Sequence, residues 1–259
     1  FKDISTEEFR NYFSEKTRID LTGFFDFWVF GTGFPHFSSE TFNVKKIENK
    51  YQVDFKINQR LIASQNYLKT PLEIGFLDKN WLIHKFTIPF TGKSEVKKLK
   101  LDYKPIMLLI DPDEKMADAT TDEYRIIHKT GKIEFIEEFF SLDVQQLKDS
   151  TFFRITHHWI SPENINNNSD EVILANRYWE IQYVSNGIFI MSAKLKFDLS
   201  YALDDELSNF REENLRLMYR KNQQTSWKML DLRPDTQGSR GHFVVSDIKN
   251  GEYTIAGTK

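Results

Sequence analysis

Six histidines are the residues best suited to bind a metal or transfer a proton: His36, His84, His128, His157, His158 and His242. None stands in a His-Glu-x-x-His sequence, which places two imidazoles one helical turn apart beside a glutamate that activates water. His157 and His158 are adjacent on a predicted strand, so their side chains point to opposite faces and cannot share one metal. His84 and His157 fall on apolar strand faces. We therefore interpret the histidines as buried, hydrogen-bonded or edge residues.

An acidic stretch, Asp111-Pro112-Asp113-Glu114 with Asp118, has some features of a calcium-binding loop. An EF-hand loop requires an oxygen ligand at its fifth position and glycine at its sixth. Lys115 and Met116 occupy those two positions here. The pattern therefore favours a solvated linker.

Aromatic residues of the C-terminal half suggest a second kind of chemistry, stacking on sugars or peptides. The residues concerned are Trp159, Tyr178, Trp179, Tyr183 and Trp227. Trp159 and Trp179 alternate with their neighbours as core residues do, so core packing is the favoured interpretation. The triplet Asn167-Asn168-Ser169 matches the glycosylation pattern, but it lies in a polar stretch that we interpret as a flexible turn.

Other catalytic signatures are missing from the sequence. There is no Gly-x-Ser-x-Gly elbow, phosphate loop or dinucleotide fingerprint. The 259 residues include no cysteine, which excludes disulfides, thiolate catalysis and zinc–thiolate sites. A formal net charge of −3 gives no electrostatic reason to expect nucleic-acid binding. No signal peptide and no bilayer-spanning apolar run occur. The sequence predicts no catalytic, cofactor-binding or metal-binding residue in this chain.

The first 34 residues have helical character. Ser5 and Glu8 form a predicted capping box, followed by Phe9, Tyr12 and Phe13 on one helical face. Thr22 is the predicted cap of a second helix that is apolar nearly all round. Such a helix must pack either on the strands after it or on a further domain. We therefore predict that four of its residues pack between domains: Phe24, Phe25, Phe27 and Trp28.

After Pro35 the apolar period changes from helical to two, as in Tyr51–Ile57, which predicts antiparallel strands with one buried face. Ile106–Ile110 is continuously apolar, which predicts a central buried strand. Several short strands separated by regular turns are typical of an immunoglobulin-like sandwich. The polar stretch Asp111–Glu123 predicts a junction, beyond which the strand pattern resumes.

The second half contains five further strand candidates: Tyr124–Ile127, Lys132–Phe140, Thr151–Ile160, Arg177–Val184 and Ile188–Leu199. A short helix is predicted within Asp204–Glu213, and hairpin turns at Asn222–Thr225 and Asn250-Gly251. The sequence thus predicts a mainly β chain with two tandem immunoglobulin-like or fibronectin-like β-sandwiches. Residues 1–34 form a helical tail, residues 35–112 the first sandwich and residues 113–259 the second.

The stretch Ile19–Pro35 carries a resemblance. Its Asp20-Leu21, Phe24-Phe25, Trp28 and Gly33-Phe34-Pro35 resemble the end of the catalytic domain in aminopeptidase-N-like zinc metallopeptidases, the gluzincins. In that family this pattern closes the last catalytic helix and leads into an immunoglobulin-like sandwich. The resemblance covers roughly residues 1–112 and implies that the family's zinc ligands and exopeptidase loop precede Phe1. No catalytic residue of the family can therefore be placed on this chain.

The resemblance implies a C-terminal, non-catalytic fragment of an exported bacterial enzyme, and a chain that opens on Phe1 rather than methionine agrees with a fragment. The sandwiches would buttress the missing catalytic domain and shape access for its peptide substrate, with zinc only in that domain. Well-known members continue into an α-helical solenoid, whereas residues 113–259 are predicted to be β-rich. The alternative is a glycan-binding, peptide-binding or protein-interaction module. A third hypothesis is that the chain is itself a hydrolase. It predicts that the chain alone hydrolyses peptides when zinc is added, which we do not expect.

Overall fold

The computed structural model describes residues 3–64, 66–163, 172–200 and 203–258. Within those ranges the chain is mainly β, with two α-helices and eighteen strands, so the predicted fold class is confirmed. The chain divides into two compact units, one ending at Ala119 and one beginning at Thr120. The finer prediction, a helical tail and two immunoglobulin-like sandwiches divided after residue 112, stays a prediction.

Two helices open the first unit, α1 (Thr6–Thr17) and α2 (Thr22–Trp28). The predicted capping box is confirmed, because the Ser5 Oγ accepts from the Glu8 amide at 3.1 Å and the Glu8 carboxylate accepts from the Ser5 amide at 3.0 Å. The predicted cap at Thr22 is wrong. Leu21 is the N-cap of α2 without a side-chain cap, and Thr22 is the first helical residue. The Asp20 carboxylate accepts from the Thr22 amide at 2.9 Å and satisfies it instead.

The strands of the first unit are β1 (Phe34–Ile47), β2 (Lys50–Ile62), β3 (Thr70–Leu77), β4 (Ile83–Phe90), β5 (Ser94–Leu101) and β6 (Met107–Ile110). They form two antiparallel three-stranded sheets, in the orders β1-β2-β5 and β4-β3-β6. The apolar faces of both sheets bury one core, with Phe55 of β2 and Phe76 of β3 near its centre. The prediction of a central strand at Ile106–Ile110 is wrong, because β6 pairs only with β3 among the described strands. Continuous burial of Met107–Leu109 gives this edge strand its apolar sequence.

The strands of the second unit are β7 (Thr120–Ile127), β8 (Gly131–Phe135), β9 (Phe140–Leu147), β10 (Thr151–His158), β11 (Val172–Leu174), β12 (Tyr178–Ser185), β13 (Phe189–Asp198), β14 (Leu215–Arg220), β15 (Lys228–Met229), β16 (Asp235–Gln237), β17 (Arg240–Val245) and β18 (Gly251–Thr258). One antiparallel sheet has the order β15-β14-β18-β12-β10-β7, with β11 added beside β18; we call it the large sheet. The other has the order β16-β17-β13-β9-β8; we call it the small sheet.

A single apolar cluster fills the space between the large and small sheets. The large sheet contributes Trp179 and Ile255, and the small sheet contributes Phe140, Leu195 and Phe243, all fully buried. Alternation along β13 confirms the predicted strand, because residues 191, 193, 195 and 197 are buried while those between them face outward. The outward face of the small sheet therefore carries polar residues such as Ser192, Lys194 and Lys196.

The short helix predicted within Asp204–Glu213 is present as the 3-10 helix Asp205–Leu207, and a second 3-10 helix, Glu212–Asn214, begins at the end of that segment. The turn predicted near the end of the chain is wrong. Asn250-Gly251 closes no hairpin, because β17 belongs to the small sheet and β18 to the large sheet. The Asn250 carboxamide instead accepts from the Tyr183 amide at 2.7 Å and donates to the Tyr183 carbonyl at 3.0 Å. The hairpin turn predicted at Asn222–Thr225 is confirmed between β14 and β15.

Candidate functional site

The four residues predicted to pack between domains have different environments within α2. Phe25 and Phe27 are buried by the chain's own residues, and Trp28 is half-buried. Phe27 belongs to the core of the first unit and contacts the Trp28 ring edge-on, with ring centroids 4.9 Å apart. Phe24 alone of the four is largely exposed. Contact of these residues with another domain stays a prediction.

Phe24 belongs to a larger exposed surface, which we call the aromatic face and define as Phe9, Tyr12, Phe13, Phe24 and Phe30. Each of its members is between 40 and 53% exposed. Phe25 lies beneath them, with its ring centroid 6.2 Å from that of Phe9, 5.8 Å from that of Phe24 and 6.3 Å from that of Phe30. Helix α1 has no buried residue at all. The face is therefore one continuous apolar surface built from both helices.

The histidines do not converge. His84 lies 3.0 Å from the Asp78 carboxylate and stacks on Tyr103, with ring centroids 3.9 Å apart. His128 is exposed, whereas His36 is buried. Among the described residues, no three His, Asp or Glu side chains lie close enough together to hold a metal ion. The zinc implied by the resemblance therefore finds no ligand set in the described part of the chain.

His157 belongs to a buried cluster around Arg177. The Arg177 guanidinium donates to the Asp204 carboxylate at 2.7 and 2.9 Å, to the His157 Nε2 at 3.1 Å and to the Lys196 carbonyl at 2.8 Å. It also lies 4.5 Å above the Trp179 ring. Burial lowers the pKa of His157 well below its ordinary value, and the charge of Arg177 lowers it further. The neutral imidazole serves as an acceptor for the guanidinium, so this cluster is structural.

The outward face of the large sheet carries a set of buried and half-buried polar residues, which we call the polar row: Asp122, Thr156, Glu180, Glu252 and Arg220. Strand pairing places these residues side by side on five neighbouring strands. Arg220 contacts the Glu252 carboxylate at 2.5 Å. Glu180 lies opposite Glu252, so two carboxylates face each other across one strand pair. Burial raises the pKa of Glu252 to about 7, with Glu180 adding to the rise and Arg220 opposing it.

The polar row is completed by side chains from adjacent register positions. Arg154 holds the Asp122 carboxylate at 2.6–2.8 Å and donates to Gln182 at 3.1 Å. His158 lies 3.7 Å from the Glu180 carboxylate and stacks on Tyr178 at 4.1 Å. Burial lowers the pKa of His158, although Glu180 acts in the opposite direction. These carboxylates are occupied by protein partners, so the arrangement stabilises the sheet rather than presenting a nucleophile or base.

The outward face of the small sheet forms an open groove of about 930 Å³, which we call the groove. Its floor follows the strand register in four successive rows. These rows are Lys132, Asp143 and Ser192; then Glu134, Ser141, Lys194 and Val244; then Lys196, His242 and Asp235; then Asp198, Arg240 and Gln237. Phe139, Phe197 and Leu203 are also among the lining residues.

Charges in the groove are only partly paired with each other. Lys196 contacts Glu134 at 2.6 Å, and Arg240 contacts Asp198 at 2.6 Å. Lys132, Lys194 and Asp143 have no ion-pair partner within 4.0 Å in the part of the chain that the structure describes.

His242 lies in the groove with its Nε2 atom 3.8 Å from the Asp235 carboxylate. Burial lowers the pKa of His242, and Lys194 lowers it further against the opposing effect of Asp235. A neutral imidazole can both donate and accept a hydrogen bond, one at each ring nitrogen.

The aromatic residues singled out from the sequence are mostly buried. Trp179 and Trp227 are buried with Tyr178, so core packing is confirmed for Trp179. The same interpretation is wrong for Trp159, which is 40% exposed. Strand β10 ends at His158, so the alternation does not continue to the next residue. The Trp159 indole donates to the Thr121 hydroxyl at 2.8 Å.

The acidic stretch behaves as a loop satisfied by its own chain. The Asp111 carboxylate accepts from the Met116 amide at 2.7 Å. Asp113 contacts Lys85 and lies 3.1 Å from the Lys115 ammonium. The linker predicted over Asp111–Glu123 ends earlier than expected, because β7 begins at Thr120. The possible glycosylation triplet Asn167-Asn168-Ser169 lies outside the described residues.

Sequence reasoning missed both the groove and the polar row. The signal was present in the polar residues that alternate with apolar ones along β9, β13 and β17. Their alternation predicts an outward face but not which strands lie side by side, so rows such as Lys132, Asp143 and Ser192 required the observed register.

Models of known protein families and curated proteins give no match to this chain. Neither helix in the described ranges combines the length and apolarity needed to cross a bilayer.

Proposed function

We propose that this chain is a non-catalytic accessory region of an aminopeptidase-N-like zinc metallopeptidase, exported from a bacterial cell. Its N-terminal helices would pack against the zinc-binding catalytic domain of the same polypeptide, and its β-sheets would buttress that domain and shape access for the peptide substrate. The aromatic face is the observation that carries this proposal.

The exposed area of the aromatic face is that of the largest apolar patch on a typical soluble protein, a patch that is often functional. An aromatic side chain offers about 150–250 Å², so five rings exposed by about half present on the order of 400–500 Å². Contiguous apolar patches of more than a few hundred Å² mark interaction surfaces. The face therefore has the size of a docking surface.

Helix α1 gives the second argument. It has 12 residues, none of them buried, and helices of about 12–15 residues are only marginally stable in water by themselves. The capping box contributes about 1 kcal/mol, which does not replace tertiary packing. A partner covering Phe9 and Phe13 would supply the apolar contacts that α1 lacks.

The resemblance of Ile19–Pro35 to the end of a gluzincin catalytic domain supports the choice of partner. Helix α2 ends at Trp28 and strand β1 starts at Phe34, so the helix leads directly into the first β unit. In the resembling family the same succession joins the catalytic domain to a sandwich. The chemistry of the reaction would belong to the partner, and the described residues contribute only binding surface and support.

The test compares the full polypeptide encoded by the natural gene with the 259-residue chain. We expect the full polypeptide to contain zinc and to hydrolyse leucine p-nitroanilide. Phe24→Ala should cost it about 2–3 kcal/mol, because roughly 100 Å² of apolar surface would lose its cover. The same substitution should leave the 259-residue chain unchanged within about 0.5 kcal/mol. Thermal and urea unfolding measure both effects.

Leu82→Ala is the matched control, because Leu82 is as exposed as Phe24 but lies in the turn before β4, outside the aromatic face. It should alter neither protein. A full polypeptide without zinc and without aminopeptidase activity would overturn the enzymatic part of the proposal. Equal effects of Phe24→Ala in the two proteins would overturn the packing part.

A further inference from the structure

We infer that the groove of the small sheet binds a neutral oligosaccharide, laid along β13 between β8 and β16. This inference concerns the second unit only, and it neither requires nor supports the proposed role of the aromatic face. The dimensions, charge balance and available hydrogen-bonding groups of the groove together select this class of ligand.

The shape of the groove fits an extended ligand. Its outward positions along β13 run from Ser192 to Asp198, which corresponds to about 20 Å at the rise of a β-strand. The small side chains of Ser141 and Ser192 keep the floor low, while Lys132 and Gln237 stand at the two sides. The volume of about 930 Å³ lies in the range of ligand sites.

Charge balance argues against a strongly charged ligand. Four cationic and four anionic side chains line the groove: Lys132, Lys194, Lys196 and Arg240, against Glu134, Asp143, Asp198 and Asp235. Two ion pairs, Lys196–Glu134 and Arg240–Asp198, neutralise half of them. The remainder is again balanced, so a polyanion or a polycation would gain no net attraction.

The remaining polar groups suit hydroxyls. The ammonium groups of Lys132 and Lys194 can only donate, and the Asp143 carboxylate can only accept. Ser192 and the neutral imidazole of His242 can do both. A sugar ring offers several hydroxyls that donate and accept at fixed spacing, so one molecule can satisfy these mixed neighbours. Its C–H faces would contact the apolar side chains that line the groove, among them the 40% exposed Val244.

A peptide strand fits this surface less well. Peptides commonly bind a sheet by adding a strand to a free edge, which uses unpaired backbone groups. Strand β13 is paired on both sides, with β9 and β17, and β9 is paired with β8. The floor of the groove therefore offers side chains only, without the backbone ladder that a peptide would extend.

The test is a nuclear magnetic resonance titration of the ¹⁵N-labelled chain with neutral tetrasaccharides: cellotetraose, maltotetraose, xylotetraose, mannotetraose and chitotetraose. We expect at least one to shift the amide signals of β9, β13 and β17 saturably. Asp143→Ala and Lys194→Met should each weaken that binding about tenfold or more, since hydrogen bonds to charged groups are lost. Lys228→Met, on β15 of the large sheet, should have no effect.

Both groove positions face outward, and an unchanged thermal transition will show that each variant is folded. Ser192→Trp provides a second test, because it retains every charge but fills the groove and should abolish binding. Saturable binding that survives all three groove variants would overturn the inference, as would the absence of saturable binding in the whole panel. Shifts of the same signals by an uncharged Gly-Ser-Asn peptide, with no effect of any sugar, would assign the groove to peptides and also overturn it.

Discussion

Replacing Asp204 with asparagine will leave the Arg177 guanidinium buried without a compensating charge. Both side chains are at most 2% exposed, and the carboxylate accepts two hydrogen bonds from the guanidinium and one from the Asp198 amide. Breaking a buried ion pair by removing one partner costs about 3–5 kcal/mol. The remaining acceptors of Arg177, the His157 Nε2 and the Lys196 carbonyl, carry no negative charge and cannot replace the carboxylate.

Urea titration at pH 7 measures the loss, with hydrogen exchange of β12 and β13 peptides reporting the second unit specifically. Glu134→Gln is the control, because its pair with Lys196 is exposed on both sides and should contribute less than about 1 kcal/mol. Adding Arg177→Met to Asp204→Asn should recover part of the lost stability, since no buried charge then remains. A loss below about 1 kcal/mol for Asp204→Asn would refute the reasoning.

Three further predictions concern other residues. The pKa of Glu252, about 7 when folded against 4.5 unfolded, gives stability that is complete below pH 4.5 and lost as pH rises through 7. In urea titrations, the free energy of unfolding of the native chain should therefore fall relative to that of Glu252→Gln as the pH rises from 4.5 to above 7. A difference between the two proteins that stays constant over this pH range would contradict the prediction. Gly251→Ala should destabilise the chain more than Gly238→Ala does. Both glycines have a positive φ, but of the two only Gly251 would bring an added Cβ against the backbone, 2.5 Å from the Arg220 carbonyl oxygen. The unfolding temperatures of the two variants, measured by calorimetry, check this. Phe27→Ala should cost about 3–5 kcal/mol by urea unfolding, whereas Phe24→Ala should cost this chain almost nothing, and equal losses would contradict the burial of Phe27.

Local patterns predicted several elements well. The capping box of Ser5 and Glu8 and the alternation along β13 follow from physical rules that act over a few residues. The same rules failed at Asn250-Gly251, because a turn-forming pair does not reveal whether the chain stays in one sheet or crosses to the other. They failed at Trp159 as well, because the strand ends at His158, two residues earlier than predicted.

Long-range pairing explains why the candidate sites were harder to foresee. The polar row joins Asp122 to Arg220, nearly a hundred residues apart, through the order of five strands. The groove likewise joins Lys132 to Asp235 through strand order and register. Which residues face outward can be predicted from the sequence, but which outward residues become neighbours depends on tertiary structure. The aromatic face lies within one continuous segment, but the sequence did not separate its exposed member Phe24 from the buried Phe25 and Phe27.

The carboxamide of Asn250 has a consequence for the fidelity of folding. It occupies both hydrogen-bonding groups of Tyr183, where the ladder between β12 and β18 would otherwise continue past Gly251. A shift of β18 by one residue would turn Tyr253 and Ile255 towards solvent and bring Glu252 into the apolar interior. Because the amide matches Tyr183 only in the native alignment, one polar side chain at the entrance to the last strand favours the correct pairing over the shifted one.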